Sequence, residues 1–206
     1  GHRVHALRID GRDLLGVEVH RYMLNRSSNR ETHPWAAEFE SKVIRGEACA
    51  LAATQLKAAG FTPDVIVANP GWGESLFLRD VWPQARMLAL FEFFYAARGL
   101  DFNFDPEFAR AGLQADAKLR AKNAGLLMAL QDMDAGWSPT HFQRSTLPEA
   151  YRERISVIFD GIDSQIVKPD PQAVFTFGDR TFSVGDEVIT FINRNLEPQR
   201  GYHIFM

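Results

Sequence analysis

The residues of this sequence best placed for ligand chemistry form a short glycine-containing loop, Asn69-Pro70-Gly71-Trp72-Gly73-Glu74. The loop follows an apolar, β-branched run at 65–68, which predicts a strand buried on both faces, and precedes a helical pattern at 74–80. Ligands of open α/β sheets bind at such carboxyl ends of strands. Gly71 and Gly73 permit positive φ angles and close approach of a ligand, and the helix would offer free N–H groups. An ordinary strand-to-helix turn around a packed tryptophan fits the same residues equally well.

Two further polar residues follow predicted strands. Glu92 comes directly after the apolar run 87–91, which places a carboxylate where substrates of parallel sheets bind. The alternative for Glu92 is a hydrogen bond to a neighbouring backbone N–H. Thr140 follows the short strand predicted at 135–137 and is a candidate N-cap of the next helix.

Two acidic residues suggest a metal site only weakly. Asp105 and Glu107 stand in the irregular segment 98–114, among three phenylalanines: Phe102, Phe104 and Phe108. A metal ion could bind the two acids, but the sequence nearby offers no histidine or third acid to complete a site. We therefore expect no bound metal, with the phenylalanines packed under the loop and the acids facing water.

Composition excludes several classes of protein. The chain has 206 residues, 46% hydrophobic and 24% charged, with a net charge of −3, so it lacks the basic field of a nucleic-acid-binding protein. No apolar run reaches membrane-spanning length. The single cysteine, Cys49, cannot form an internal disulfide, and a reducing compartment such as the cytoplasm fits best. No Gly-x-Gly-x-x-Gly follows a strand, which disfavours a dinucleotide-dependent dehydrogenase.

The elements that must position these residues alternate between strand and helix. Long helices are predicted at 35–59 and 115–131, and Gly60 ends the first. Asn123 interrupts the apolar pattern of the second and is expected to face a partner or a cap. The strands are predicted at 4–9, 17–23, 65–68, 87–91, 135–137 and 155–159, and, after the proline-rich linker 168–171, at 174–177, 181–184 and 188–192. This order predicts an α/β domain with a mostly parallel sheet flanked by helices, followed by a β segment.

Several segments together resemble bacterial retaining glycosyltransferases of the family-4 (group 1) type. They are Ala68-Asn69-Pro70-Gly71-Trp72-Gly73-Glu74-Ser75, Phe104-Asp105-Pro106-Glu107-Phe108, Ser138-Pro139-Thr140-His141-Phe142-Gln143 and Arg194-Asn195-Leu196-Glu197-Pro198-Gln199-Arg200-Gly201. The resemblance implies the GT-B architecture, in which two Rossmann-like domains face a cleft. Residues 1–165 would be the N-terminal, acceptor-side domain without its first strand, and residues 166–206 the linker and the beginning of the donor-binding domain.

The resemblance also implies roles for individual residues. Arg194 and Arg200 match positions that contact the donor diphosphate; without the resemblance they would be surface charges beside a turn. The acceptor cleft would be lined by Gly71, Trp72, Gly73, Glu74, Glu92 and Thr140. Asn69 stands where relatives often carry histidine, so an acid or base role is lost there. The glutamates that address the donor sugar would lie beyond Met206, which makes the catalytic residues unknown and the chain alone inactive.

The function implied is transfer of a hexose-type sugar from a UDP- or GDP-linked donor to a glycan or lipid-linked acceptor, with retention and without metal or cofactor. A non-catalytic α/β module that binds a sugar phosphate or a partner is the alternative, as is a nucleotide-sugar epimerase of GT-B architecture. A parallel sheet that lacks an inner strand would expose an unpaired edge. We therefore expect poor solubility or pairing with a second copy.

Overall fold

The structure, a computed structural model, describes residues 1–109 and 112–206, so part of the predicted irregular segment 98–114 lies outside the described residues. The described chain forms two compact units. The first comprises Gly1–Phe104 and Ala109–Phe159, and the second comprises Asp105–Phe108 and Asp160–Met206. The predicted division into domains 1–165 and 166–206 stays a prediction.

After its first strand, the first unit alternates strands with helical segments, as the sequence predicts. Its elements are β1 (Val4–Arg8), β2 (Val17–Arg21), α1 (Ala37–Ala58), β3 (Val65–Ala68), a 3₁₀ turn (Pro70–Trp72), α2 (Leu78–Val81), β4 (Arg86–Leu90), α3 (Leu113–Lys122), α4 (Ala124–Asp132), β5 (Ala135–Ser138), α5 (His141–Thr146), α6 (Glu149–Arg152) and β6 (Ile155–Val157). The second unit contains β7 (Val174–Phe177), β8 (Arg180–Ser183), a 3₁₀ turn (Pro198–Arg200) and α7 (Tyr202–Phe205).

The main sheet is parallel, with strand order β3-β4-β5-β6. A second parallel pair, β1 and β2, stands apart from it without hydrogen bonds between β1 and β3 in the described part of the chain. Leu7 and Ile9 nevertheless pack against the same core as Ile66 of β3, together with Ala53 of α1. The predicted mixed α/β class with a mostly parallel sheet is therefore confirmed.

The long helices pack on one face of the sheet. Ile66 and Met87 are paired in register and share that face with Ala89; the first two belong to the core formed with α1, and Ala89 packs with Leu126 and Leu130 of α4. The helices α1 and α4 therefore cover the face of β3 and β4 to which Ile66, Met87 and Ala89 point.

The opposite face of β3 is uncovered. Val65 is 48% exposed and Val67 is 65% exposed, whereas Ile66 between them is 8% exposed. The prediction that this strand is buried on both faces is therefore wrong, because its apolar run lies at the edge of the main sheet and only one of its faces meets helices. A cavity of about 1210 Å³ separates β3 from β1 and is lined by both strands.

Three predicted elements differ from the structure. The helix predicted at 74–80 is reduced to α2, because Leu76 N–H and Leu78 N–H bond three residues back to Gly73 and Ser75 in successive turns. The helix predicted at 115–131 is divided at Asn123 into α3 and α4. The strand predicted at 188–192 does not form, since its apolar run finds no partner strand in the described chain.

The second unit is small and mostly exposed. Strands β7 and β8 form an antiparallel hairpin, as predicted, with Gly178 at a φ angle of 62° in the turn. His203 Nε2 lies 2.8 Å from Asp105 Oδ2, and the His203 ring meets the Phe108 ring edge-on with 4.9 Å between centroids. This contact joins two segments of the unit that are far apart in the sequence.

Candidate functional site

The carboxyl ends of β3 and β4 are joined by a pair of polar side chains. Asn69 Nδ2 donates a hydrogen bond of 2.9 Å to Glu92 Oε2. The two residues come together because β3 and β4 are parallel and in register, Ala68 opposite Ala89. Glu92 is exposed, and in the described part of the chain its carboxylate accepts from the Asn69 side chain rather than from a neighbouring backbone N–H, the alternative that the sequence left open. An exposed carboxylate therefore stands at the edge where parallel sheets bind ligands.

Asn69 also shapes the glycine loop, residues 69–74. Its Oδ1 accepts a hydrogen bond of 2.9 Å from Gly71 N–H, so both ends of one amide are used. The following Trp72 is 61% exposed, which excludes the packed tryptophan of the alternative interpretation. Asn69, Trp72 and Glu74 line the cavity between β1 and β3. The loop thus presents an aromatic ring and polar groups to an open space.

The two glycines of the loop have different structural roles. Gly73 has a φ angle of 100° and is buried; an added Cβ would lie 2.5 Å from the Lys42 carbonyl oxygen of α1. Gly71 is exposed, is not in the positive-φ region, and an added Cβ would meet only Asn69 Oδ1 at 3.0 Å. The close approach that Gly73 permits is thus to the backbone of α1. Gly73 can therefore contribute to an acceptor site only by setting the conformation of the loop.

A helix-dipole site behind the loop is not supported. The predicted helix at 74–80 would have placed its free N–H groups next to Gly73. Helix α2 begins only at Leu78 and has four residues, so its first turn is not next to Gly73. The N–H groups of Leu76 and Leu78 are already bonded in turns. Glu74 instead pairs with Arg45 of α1 at 3.5 Å, and both side chains are about one-third exposed.

Thr140 is confirmed as an N-cap. Its Oγ1 accepts a hydrogen bond of 3.1 Å from Gln143 N–H at the start of α5, and the residue is exposed beyond the end of β5. Two residues earlier, the buried Ser138 donates to the Phe91 carbonyl oxygen at 2.7 Å and ties β5 to the end of β4. Thr140 and Glu92 accordingly follow neighbouring strands of the sheet.

Asn123, which the sequence predicts to face a partner or a cap, supports the chain after β4. Asn123 is 5% exposed and binds the backbone of Tyr95 twice, accepting from its N–H at 3.1 Å and donating to its carbonyl oxygen at 2.7 Å. The Lys122 ammonium lies 3.9 Å from the centroid of the Tyr95 ring, a cation–π contact. The asparagine in an apolar helical pattern indicated a polar contact at this position. Nothing in the sequence identified Tyr95 as the partner of Asn123.

A buried cation lies under the glycine loop. Lys42 of α1 is 7% exposed, donates to the Lys122 carbonyl oxygen at 3.1 Å and pairs with Glu38 at 3.7 Å. Burial lowers the pKa of Lys42, while the Glu38 carboxylate opposes that shift. Cys49 on the same helix is 2% exposed and burial raises its pKa to about 12, which leaves it an unreactive thiol.

The two predicted diphosphate-binding residues belong to the second unit. Arg194 lies in an irregular segment, Arg200 ends the 3₁₀ turn Pro198–Arg200, and both side chains are exposed. Neither forms an ion pair or a side-chain hydrogen bond with any residue that the structure describes. Their guanidinium groups are therefore available to an anionic ligand.

The acidic pair of the second unit has a histidine partner that the sequence did not suggest. Asp105, Glu107 and His203 each offer a ligand atom, all within 4.8 Å of one another. The predicted packing of phenylalanines under this loop is wrong for two of them, since Phe104 is 53% and Phe108 is 44% exposed. Asp105 itself is 15% exposed because it binds His203, so it does not face water as expected.

A parallel α/β sheet flanked by helices defines a Rossmann-like domain, a class in which ligands bind at the carboxyl edge of the sheet. Residues 1–167 match the family model of the glycosyl transferase family 4 group. The chain therefore belongs to the glycosyl transferase family 4 group, and its first unit is the Rossmann-like N-terminal half of a GT-B fold. A comparison with curated proteins finds no match. Among the described helices, none is both long and apolar enough to cross a membrane.

Proposed function

We propose that this chain provides the acceptor-binding domain of an enzyme that transfers a sugar from a UDP- or GDP-linked donor with retention of configuration. The observation that carries the proposal is the exposed Glu92 carboxylate held by Asn69 at the carboxyl edge of a family-4 glycosyltransferase sheet. A hydroxyl-rich glycan or lipid-linked saccharide suits such an edge, because carboxylates and side-chain hydroxyls accept hydrogen bonds from sugar hydroxyls.

The acceptor is proposed to contact both polar and aromatic groups. Glu92 and Thr140 would accept hydrogen bonds from sugar hydroxyls, and the exposed ring of Trp72 would pack against the apolar face of a sugar. Glu74 is held by Arg45 and would contribute through its remaining carboxylate oxygen. Gly71 and Gly73 would set the course of the loop.

The donor is proposed to bind through its diphosphate. Arg194 and Arg200 present exposed guanidinium groups, which match phosphate oxygens in a two-pronged geometry. As the bond between the anomeric carbon and the phosphate oxygen breaks, negative charge grows on the leaving nucleoside diphosphate. Fixed cations stabilise that charge more in the transition state than in the bound donor.

The proposed transfer proceeds on one face of the sugar. The acceptor oxygen bonds to the anomeric carbon on the side from which the nucleoside diphosphate departs, and the acceptor proton passes to the leaving phosphate oxygen. No metal ion or other cofactor takes part in the proposed step. Groups that contact the donor sugar and ribose are proposed to lie outside residues 1–206, so the chain alone would transfer no sugar.

The free, buried Cys49 favours a reducing, cytoplasmic setting.

Calorimetric titration of the 206-residue chain with UDP and with GDP tests this division of labour. We expect weak or undetectable binding, because the proposed donor contacts in this chain are limited to two arginines. Tight nucleotide binding would contradict the proposal that the remaining donor contacts lie elsewhere. Tight binding of a sugar phosphate, with no transfer in a longer form of the enzyme, would instead support the non-catalytic binding module.

A second copy of the chain is the proposed partner of the open sheet edge. The edge of β3 away from β4 makes no strand pairing in the described residues, and Val65 and Val67 beside it are exposed. An unpaired edge next to apolar side chains favours association with another strand. Light scattering is expected to show dimers or larger species, and a monodisperse monomer would refute the pairing.

A further inference from the structure

Three side chains of the kind that bind metal ions share one face of the β1–β2 pair. His5 is paired in register with Glu18, and Leu7 with His20, so His5, Glu18 and His20 all point to the same side. One ligand atom from each of these side chains lies within 4.8 Å of the others. Parallel pairing of β1 with β2 brings these residues together, because Glu18 and His20 follow His5 by 13 and 15 positions in the sequence.

His5 carries a buried nitrogen without a partner. Its side chain is 6% exposed, and Nε2 forms no hydrogen bond with any described residue. The nearest charged atom is Glu18 Oε2 at 3.6 Å, beyond the usual hydrogen-bond range. Buried polar atoms in native proteins nearly always have a partner, and an exception indicates an ion, a water or a function.

The two distances between a histidine nitrogen and a Glu18 oxygen fit a shared cation better than hydrogen bonds. His5 Nε2 lies 3.6 Å from Glu18 Oε2, and His20 Nε2 lies 3.6 Å from Glu18 Oε1. Two atoms bound tetrahedrally to zinc at 2.0–2.2 Å are about 3.4 Å apart. The two histidines also contact each other, because His5 Nδ1 and His20 Nε2 share a hydrogen bond of 2.8 Å and their rings are parallel within 1°. An imidazole nitrogen has one lone pair or one N–H, so this hydrogen bond must break when His20 Nε2 binds an ion. Both imidazoles border the Glu18 carboxylate that the ion would share with them.

We propose that His5, Glu18 and His20 bind one divalent zinc ion that joins β1 to β2. Two imidazoles with one carboxylate are a ligand set typical of zinc, whereas magnesium and calcium prefer oxygen ligands alone. Glu18 is 55% exposed, so water can complete the coordination from the solvent side.

The residues around the proposed site orient the His5 imidazole and leave the Glu18 carboxylate accessible. The Phe61 ring packs on His5 with 4.0 Å between centroids and limits rotation of the imidazole. Arg3, 3.5 Å from Glu18 Oε2, is 73% exposed and can swing away into solvent.

The proposed ion is structural. His5 contacts Phe61, which precedes β3, whereas the glycine loop follows β3, so the two sites lie at opposite ends of that strand. The proposed sugar transfer without metal is therefore unaffected. A two-stranded sheet is marginally stable by itself, and an ion bound only in the folded state stabilises it by mass action.

Titration of the 206-residue chain with zinc sulfate, followed by calorimetry, tests the site. Wild-type protein is expected to bind one zinc ion, and Co²⁺ in its place should give the visible absorption of a low-symmetry site. His20→Gln and Glu18→Gln are expected to weaken zinc binding at least tenfold, because each removes a ligand. Both positions are partly exposed, so the variants should keep the wild-type circular dichroism, which shows that they fold.

Three other histidines provide matched controls. His33→Gln and His2→Gln change exposed residues and are expected to bind zinc as the wild type does. His203→Gln removes the histidine of the Asp105–Glu107–His203 group and is likewise expected to leave the affinity unchanged. Absence of zinc binding by the wild type, wild-type affinity in His20→Gln and Glu18→Gln, or loss of binding in a control variant would each overturn the proposal.

Discussion

The Asn69 amide and the Glu92 carboxylate meet at 2.9 Å, although 23 residues separate them in the sequence. The contact joins the carboxyl ends of β3 and β4, and the same Asn69 holds Gly71 N–H through its other end. One side chain thus fixes both the position of a surface carboxylate and the start of the glycine loop. The proposed acceptor site depends on this arrangement.

Asn69→Ala is expected to lower the free energy of unfolding by about 1 kcal/mol, since two hydrogen bonds of a partly exposed side chain are lost. Hydrogen exchange of Gly71 N–H should become faster, because its acceptor is gone. Denaturant unfolding and exchange measured by NMR check both effects. Asn25→Ala, in an exposed loop, is the control. Unchanged exchange at Gly71 would show that Asn69 does not hold the loop.

Gly73 and Gly71 provide a matched pair of substitutions. Gly73→Ala combines a φ angle of 100° with a Cβ at 2.5 Å from the Lys42 carbonyl oxygen, so one of the two backbones must move. We expect a loss of about 3 kcal/mol or more, as for other strained and overpacked sites. Gly71→Ala has no positive φ angle and meets only a side-chain oxygen at 3.0 Å, so about 1 kcal/mol or less is expected.

Thermal and denaturant unfolding measure this difference directly. If the two alanine variants are equally stable, the close packing of the glycine loop on α1 is wrong.

Asp134 is expected to govern acid stability of the first unit. Its carboxylate accepts from Met87 N–H at 2.8 Å, from Arg79 at 2.7 Å and from Arg86 at 3.0 Å. The Met87 N–H is the largest cause that holds the pKa of Asp134 well below its usual value of 3.8, and the arginines add to it. A carboxyl with a lowered pKa stabilises the fold above its unfolded pKa and loses that contribution as pH falls below it.

Asp134→Asn should therefore cost about 2 kcal/mol at pH 7, as for other hydrogen bonds to charged groups. The difference from the wild type should shrink between about pH 5 and pH 2. Denaturant unfolding over this pH range measures it, with the exposed Asp64→Asn as the control. A difference that stays constant with pH would show that the Asp134 carboxylate does not depend on these partners.

Local patterns were sufficient for most of the fold. The β-branched run 65–68 forms β3 with the predicted ends, and the hairpin of β7 and β8 follows the predicted turn. Gly60, with a φ angle of 89°, follows α1 where the sequence placed its end. These features depend on residues close together in the chain, which is why propensity and spacing predicted them.

The errors arose where distant residues decide the structure. Asn123 divides a continuous helical pattern where its side chain binds the backbone of Tyr95, 28 residues away. Asp105 is held by His203, 98 residues away, and no spacing rule joins them. The exposed face of β3 likewise depends on which side each crossover helix occupies. Periodicity measures the apolar character of a run, not whether both of its faces are covered.

The central claim, sugar transfer from a nucleotide-linked donor, is tested most directly in the intact enzyme that contains this chain. The measurement is the rate of nucleoside diphosphate release and sugar transfer for Arg200→Ala, with Arg180→Ala, also exposed, as the control in the same unit. We predict that Arg200→Ala lowers the transfer rate about 100-fold or more, because a cation that stabilises the departing diphosphate is removed, while Arg180→Ala stays near the wild-type rate. Equal turnover by all three proteins, or an intact enzyme that releases no nucleoside diphosphate from a UDP- or GDP-sugar, would contradict the account.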